Sequence, residues 1–555
     1  MISAEAWVPA DDLRLEDNAY YAAVETDCSL LITAGPGAGK TELLAQRADF
    51  LLRTGNCLYP RKILAISFKV DASKNLRNRV QQRCGYAFAS RFESRTFHSF
   101  AKLLIDKFLP LLPEEDALPP DYTVGSQRID NKQIDYNSMI PLALQLITDY
   151  PFIVKILRST YTDIFLDEFQ DCTSSQYELI KKIFKESQLR IIAVGDDKQR
   201  IMGWAGALNE VFETFKTDFS AKHIGLLQNH RSKRLLRLFQ NEVIEAISPH
   251  YALSFDTTLP FEGALEFHFS STQEEEANNL VAYIEKWINE GIPLSEIAVL
   301  TRSHLDIVTY DLQAKLKAKK IPFRDDQQLQ RITSDPLARF VLDYLLILTS
   351  KHSPTAWTSF SNSLKYIYDE NFNPETLSIS KIRQNVQSKI NSISWNEVWE
   401  LATGMLNDIG GNKLSVLSNE YNSLARMQQS VTTLRHELEE RIKDGSNVSQ
   451  AITQIGTNNV VRLLSVHKAK GLEFESVIFQ GIEEESFWGD EHEEMCTFFV
   501  GISRAKSNLV LTKTSSRPLP PNTSRRWTEE RNLHKKFYSF YYSTKNTVDP
   551  LWNLF

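Results

Sequence analysis

Two short stretches of the chain carry residues suited to work on a nucleoside triphosphate. In Ala34-Gly35-Pro36-Gly37-Ala38-Gly39-Lys40-Thr41, glycines alternate ahead of a lysine and a hydroxyl. Such glycines let backbone N–H groups curl around phosphate oxygens, and a helix opening just after them adds its positive dipole end. Lys40 would reach the β- and γ-phosphates, and the Thr41 hydroxyl would ligate Mg²⁺. In Asp167-Glu168-Phe169-Gln170-Asp171, the acids follow the apolar run Ile164–Leu166. A carboxylate at the carboxyl end of a strand stands where ligands bind in open α/β sheets. Asp167 would hold the Mg²⁺, and Glu168 would take a proton from the attacking water. Either stretch alone could be an ordinary polar turn. Together, in this order, they read as one hydrolytic site.

Those residues need strands behind them and helices beyond. Ser29–Ala34, Ile63–Ser67, Ile164–Asp167, Ile191–Val194 and Ile224–Leu227 are short apolar runs that predict buried strands. Ile297–Thr301, Val461–Val466, Ser476–Phe479 and Leu509–Thr512 read the same way. Each adjoins a stretch long enough for a helix, the pattern of α/β folds with parallel sheets, and the gap between the groups predicts two sheets. Two segments break the alternation and are expected to be mainly helical insertions: 107–160, proline-rich at first, and 335–458, with Gly410-Gly411 as a break. The first α/β domain is then expected at 1–106 and 161–222, the second at 223–334 and 459–514, and a C-terminal tail at 515–555.

With 555 residues, 42% hydrophobic and 24% charged, the chain can bury several cores. A net charge of -7 gives no global basic footprint, though a local basic groove would suffice for nucleic acid. Cys28, Cys57, Cys84, Cys172 and Cys496 are scattered without a CxxC pair, so neither zinc nor an iron–sulfur cluster is expected. Lone thiols suit a reducing compartment. Met1–Asp12 lacks the apolar stretch of a signal peptide, and the greasiest run, Phe340–Leu348, is short and interrupted by Asp343. A soluble cytoplasmic protein with no membrane partner is expected.

Further segments carry a family resemblance. They are Ala65-Ile66-Ser67-Phe68-Lys69, Arg95-Thr96-Phe97-His98-Ser99, the acidic box Asp167–Asp171, and Val194–Gln199 with Gly203-Trp204-Ala205-Gly206-Ala207. Leu227-Gln228-Asn229-His230-Arg231-Ser232, His467-Lys468-Ala469-Lys470-Gly471-Leu472-Glu473-Phe474 and Val500-Gly501-Ile502-Ser503-Arg504-Ala505 complete the series. In this order they resemble the UvrD/Rep type of superfamily 1 helicase. The resemblance implies two RecA-like P-loop domains with ATP in the cleft between them and single-stranded DNA lying across both. It implies that Gln199 senses the γ-phosphate, and that Arg231 and Arg504 act as arginine fingers from the second domain. His230 would stand where the family stacks a tyrosine on adenine, and Glu473 would contact the ribose. Phe68 and Trp204 would be base-stacking platforms, with Thr96, His98 and His467 touching the strand nearby. Each of these aromatics and histidines, taken alone, would more readily be read as core or structural. The implied activity is an ATP-dependent translocase or helicase, moving 3′ to 5′ on single-stranded DNA or 3′-tailed duplex.

The chain also departs from that family. No glutamine stands upstream of the phosphate loop, in Leu15–Tyr21, where the family reads adenine. Glu42 follows Thr41 where an arginine is usual, and His230 replaces the tyrosine, so looser nucleotide choice is expected. Ala205 and Met202 replace a usual arginine and tyrosine in the coupling segment. Compact insertions suggest poor unwinding alone. They leave an alternative open: a DNA-sensing ATPase subunit that regulates a partner nuclease in bacterial antiviral defence, like the helicase-like subunit of Gabija. The tail's Lys535-Lys536-Phe537-Tyr538 and Tyr541-Tyr542 could dock a partner, touch DNA, or form a final helix on the second core.

Overall fold

The computed structural model describes residues 1–549 except Lys69, Asp121, Ser126, Trp204, Ala205, Asn209, Leu227, Thr257, Asn522 and 327–328, 330–331, 334, 369–371, 419–420, 422–423, 444–446 and 458. The chain divides into two compact units. One comprises Met1–Ile105, Met139–Ile321 and Val461–Phe555; the other comprises Asp106–Ser138 and Pro322–Val460.

The first unit holds two lobes, each built on a parallel sheet. In the first lobe, β1 (Leu30–Ala34), β2 (Lys62–Ser67), β3 (Phe92–Thr96), β4 (Tyr161–Asp167), β5 (Arg190–Gly195) and β6 (Lys222–Leu226) lie in the order β3-β2-β4-β5-β1-β6. All neighbours are parallel. Every residue of β1 and β4 is buried, as a parallel sheet covered on both faces requires. Leu30, Ile32, Ala65, Phe165 and Ile192 share a core with Leu44 and Leu51 of helix Lys40–Arg53 and with Leu76 and Val80 of helix Val70–Ala89. The expected strands are all present. β3 was not expected, because Phe92-Glu93-Ser94-Arg95-Thr96 is too polar to read as a strand. Its charges are answered locally, Arg95 Nε donating to Glu93 Oε1 at 2.6 Å.

In the second lobe, β7 (Ala264–Thr272), β8 (Ile297–Thr301), β9 (Val461–Ser465), β10 (Phe474–Gln480) and β11 (Ala505–Ser516) run in the order β9-β8-β10-β11-β7, again parallel. Edge strand β7 was also missed, since its outward face is half polar. Leu300, Phe479 and Leu511 pack with Phe239 of helix Arg234–Ile247 and Phe498 of helix Glu491–Ile502. The tail resolves as a final helix, Lys535–Val548, with Phe537 stacked on Phe498 at 4.1 Å and Tyr541 buried. Its aromatic face is core.

The second unit centres on helix Pro336–Thr349, buried on almost every side. Asp343 within it is 1% exposed and pairs with Arg339 one turn back, which lets a carboxylate sit in that core. Helix Trp395–Ile409 ends at Gly410, whose φ of 82 suits glycine. Thr123–Gly125 and Gln133–Asp135 form a short parallel pair. Among the described residues no single helix is long and apolar enough to cross a membrane.

Candidate functional site

β1 delivers Ala34 into the glycine loop, and the following helix starts at Lys40 behind a left-handed Gly39, φ 77. Gly37 is left-handed too, and a Cβ there would lie 2.4 Å from Asn229 Oδ1 and 2.5 Å from Arg231 Cβ. Glycine at 37 is what lets the segment carrying Arg231 close over the loop. The two backbones join directly: the His230 amide donates to the Gly37 carbonyl at 3.0 Å. Lys40 Nζ donates to the carbonyls of Ala34 at 3.1 Å and Gly35 at 3.4 Å. Burial pulls this ammonium's pKa down, opposed by Glu168 and Asp196, so an anion beside it would restore what burial removes. A cavity of about 390 Å³ flanks the loop, lined by Gly35, Pro36, Lys198, His230, Arg237 and Tyr251 among others. That is within the size range of small-molecule sites.

Parallel topology sets the acids beside the loop. β4 ends at Asp167 and β5 ends at Gly195, register partner of Thr33 in β1. Burial and the neighbouring Glu168 charge push the Asp167 carboxyl up. Burial pushes Glu168 up as well, but Lys40, Lys470 and a 2.6 Å bond from Gln170 Nε2 outweigh it and hold Glu168 ionised. Glu168 has φ 52, a left-handed backbone uncommon for non-glycine residues. Past β5, buried Asp196 takes an ion pair from Lys198 Nζ at 2.7 Å and a bond from Gln199 Nε2 at 2.8 Å.

The second lobe meets these groups with two guanidiniums. Arg504, 1% exposed, donates to the carbonyls of Val500 at 2.8 Å and Leu472 at 3.1 Å, and to Gln199 Oε1 at 3.0 Å. Gln199 thus holds first-lobe Asp196 by its amide nitrogen and second-lobe Arg504 by its amide oxygen. Burial and nearby Arg231 pull Arg504 down to about 9, which leaves it cationic at neutral pH. Arg231 Nε donates to Glu473 Oε2 at 2.7 Å, and its Nη1 to the Ser503 carbonyl at 3.2 Å. Electrostatic interactions link Lys40, Asp167 and Glu168 with Arg231 and Arg504, hydrogen bonds add Gln199 and Glu473, and Thr41 lies in the helix turn opened by Lys40. His230 is exposed beside it. Glu42 is held by Arg79 at 2.9 Å and Arg83 at 2.8 Å, tying it to helix Val70–Ala89.

The expected DNA contacts lie at the carboxyl ends of strands. Phe68 follows β2, and Thr96 ends β3 opposite Ser67. Thr96 is 8% exposed, and its hydroxyl accepts from the Ser99 amide at 3.1 Å, capping the next helix. His98 is half-buried, and burial pulls its pKa down. His467 follows β9 in the short helix Val466–Ala469. Trp204, with Ala205 beside it, lies outside the described residues. Two candidates were missed from sequence. Trp488, 70% exposed, stands in the connection leaving β10, with the Arg302 guanidinium 5.7 Å from its ring centroid. Arg302 follows β8 and is fixed by Glu494 through two bonds of 2.7 Å. Phe487-Trp488-Gly489 stands among acids in the sequence, and the cation that meets Trp488 is brought there only by the fold, so the chain itself carried no signal.

A phosphate loop and acidic strand ends in one parallel lobe, faced by buried Arg504 and half-buried Arg231 from another, define a P-loop nucleotide hydrolase with two RecA-like domains. Residues 15–121 and 121–220 match the UvrD/REP helicase N-terminal domain, and residues 224–365 and 345–516 match the UvrD-like helicase C-terminal domain. The chain belongs to this helicase family and is an ATP-hydrolysing DNA helicase by that membership. It is 24% identical to DNA helicase II of Escherichia coli (strain K12), over 91% of this chain and 85% of that protein. It is also 24% identical to the ATP-dependent DNA helicase PcrA of Staphylococcus aureus (strain COL), over 90% and 83% respectively. A probable DNA helicase II homolog of Mycoplasma genitalium is likewise 24% identical, over 87% and 82%.

Proposed function

We propose that the protein is an ATP-driven translocase on single-stranded DNA that moves 3′ to 5′ and opens 3′-tailed duplex. The observation that carries this reading is the Gln199–Arg504 bond of 3.0 Å, which joins the first lobe's coupling segment to a second-lobe cation beside the phosphate loop. Lys40 binds the terminal phosphates, and Glu168, kept ionised, accepts the proton of the attacking water. Arg231 and Arg504 neutralise charge that develops on the γ-phosphate, an effect of about 10³–10⁵ in rate. Arg231 leaves Glu473 to do so, which frees that carboxylate for the ribose. The Thr41 hydroxyl and Asp167 carboxylate fit Mg²⁺, being hard oxygen donors. A divalent cation would also relieve the burial that raises Asp167. When bound, the ion neutralises phosphate charge. Phe68, Thr96, His98, Trp204 and His467 would touch the strand.

Strand displacement on 3′-tailed and 5′-tailed duplexes tests the polarity. Opening of the 3′-tailed duplex alone is expected; equal or reversed preference overturns it. DNA-stimulated hydrolysis without displacement, together with a co-purifying nuclease, would point instead to a regulatory ATPase subunit.

A further inference from the structure

β9 and β10 run parallel on either side of β8. The connection 466–473 therefore leaves the carboxyl end of β9, near His467, and returns to the amino end of β10, where Glu473 meets Arg231. Lys470 lies midway and is buried, its side chain 2% exposed. Its ammonium crosses to the first lobe and donates to Asp171 Oδ1 at 2.7 Å, Asp171 Oδ2 at 2.6 Å and the Gln199 carbonyl at 2.7 Å. The next residues face the fingers: the Leu472 carbonyl accepts from Arg504 at 3.1 Å, and Glu473 accepts from Arg231 at 2.7 Å. Gln199 is consequently gripped twice from the second lobe, at its carbonyl by Lys470 and at its side chain by Arg504.

We infer that Lys470 is a positioning residue for ATP hydrolysis: its clamp on Asp171 and the Gln199 carbonyl sets where Leu472 and Gln199 stand, and so where Arg504 points. A buried ion pair adds little net stability but is costly when halved, so geometry is its main contribution. The inference rests on Arg504 acting at the triphosphate, which Arg504→Ala tests separately.

DNA-stimulated turnover and the KM for ATP are measured on the full chain. Lys470→Met combined with Asp171→Asn removes both charges and leaves no orphan anion in the core. This double variant should melt close to wild type, lose about 10²-fold in kcat and keep its KM within about threefold. If burial of a lone charge were the whole story, it would recover kcat as well as stability. Lys470→Arg keeps both charges but cannot place a compact cation among three oxygens, and should lose about tenfold in kcat. Turnover within about twofold of wild type in either variant overturns the inference. Intact turnover in Arg504→Ala would overturn the finger assignment instead.

Discussion

Single residues in the cleft carry separable jobs. On the proposed function, Lys40→Ala removes the cation that would meet the terminal phosphates, and it should abolish turnover. Glu168→Gln keeps the shape but not the base, and should bind nucleotide while hydrolysing at least about 10²-fold more slowly. A filter-binding assay beside a phosphate-release assay separates the two. Arg504→Ala should cost about 10³–10⁵ in kcat with binding retained. Gly37→Ala is a sharper probe, because its new methyl meets Asn229 and Arg231 at 2.4 and 2.5 Å and its φ of +71 is strained for alanine. It should impair hydrolysis without removing any charged group; normal turnover would show that the second lobe need not approach the loop. The loop and acidic box were legible because their chemistry demands neighbouring residues in one stretch. Lys470 and Asp171, 299 positions apart, left no such trace, since their contact exists only once both lobes have folded.

At the level of elements, helices are pinned by clusters of charge as well as by apolar faces. Asp218, closing helix Val211–Asp218, accepts from Tyr177 Oη at 2.9 Å and Lys185 Nζ at 2.8 Å, with Lys181 Nζ at 3.0 Å. Burial pushes its carboxyl up, but these donors outweigh it and hold it at about 2. A depressed carboxylate contributes stability that is present above its unfolded value of about 4 and is lost as pH falls towards about 2. Asp218→Asn should therefore melt below wild type at pH 7, and the gap should shrink between about pH 4 and pH 2 in thermal denaturation. A constant gap across that range would assign the loss to packing. Central strands such as β1, β4, β5 and β8 were readable because burial on both faces gives each an apolar run, Ile164–Leu166 in β4, even where buried Asp163 precedes it. Edge strand β7 is partly wet, and edge strand β3, though mostly buried, carries Glu93 and Arg95, so the same rule passed over both. Asp343 misled nothing: a helix that looks too charged to be core reveals its Arg339 partner one turn away.

At the level of the whole molecule, parallel topology gathers strand ends around the phosphate loop and leaves Trp488 exposed beyond β10. Trp488→Ala should lower single-strand stimulation of ATP hydrolysis and weaken DNA binding by about 1–3 kcal/mol, while basal hydrolysis holds. Unchanged binding in fluorescence anisotropy would remove Trp488 from the interface. Base selectivity is a second molecular property. Glu42 is occupied by Arg79 and Arg83, and no glutamine stands in Leu15–Tyr21 upstream of the loop, so DNA-stimulated hydrolysis of GTP and CTP should come within about tenfold of ATP. Strict ATP preference would locate a base reader elsewhere. The two-lobed plan was legible from the spacing of strands and motifs, whereas the packing of the tail helix on Phe498 was not, because its aromatics suit a surface as well as a core.

The hydrogen bond from the His230 amide to the Gly37 carbonyl leaves one last corollary. A backbone proton shielded in this way swaps with deuterium only when the bond opens, so its exchange rate is a built-in clock for breathing of the cleft. Nucleotide should slow that clock, and a peptide spanning residue 230 would report it by mass with no label attached.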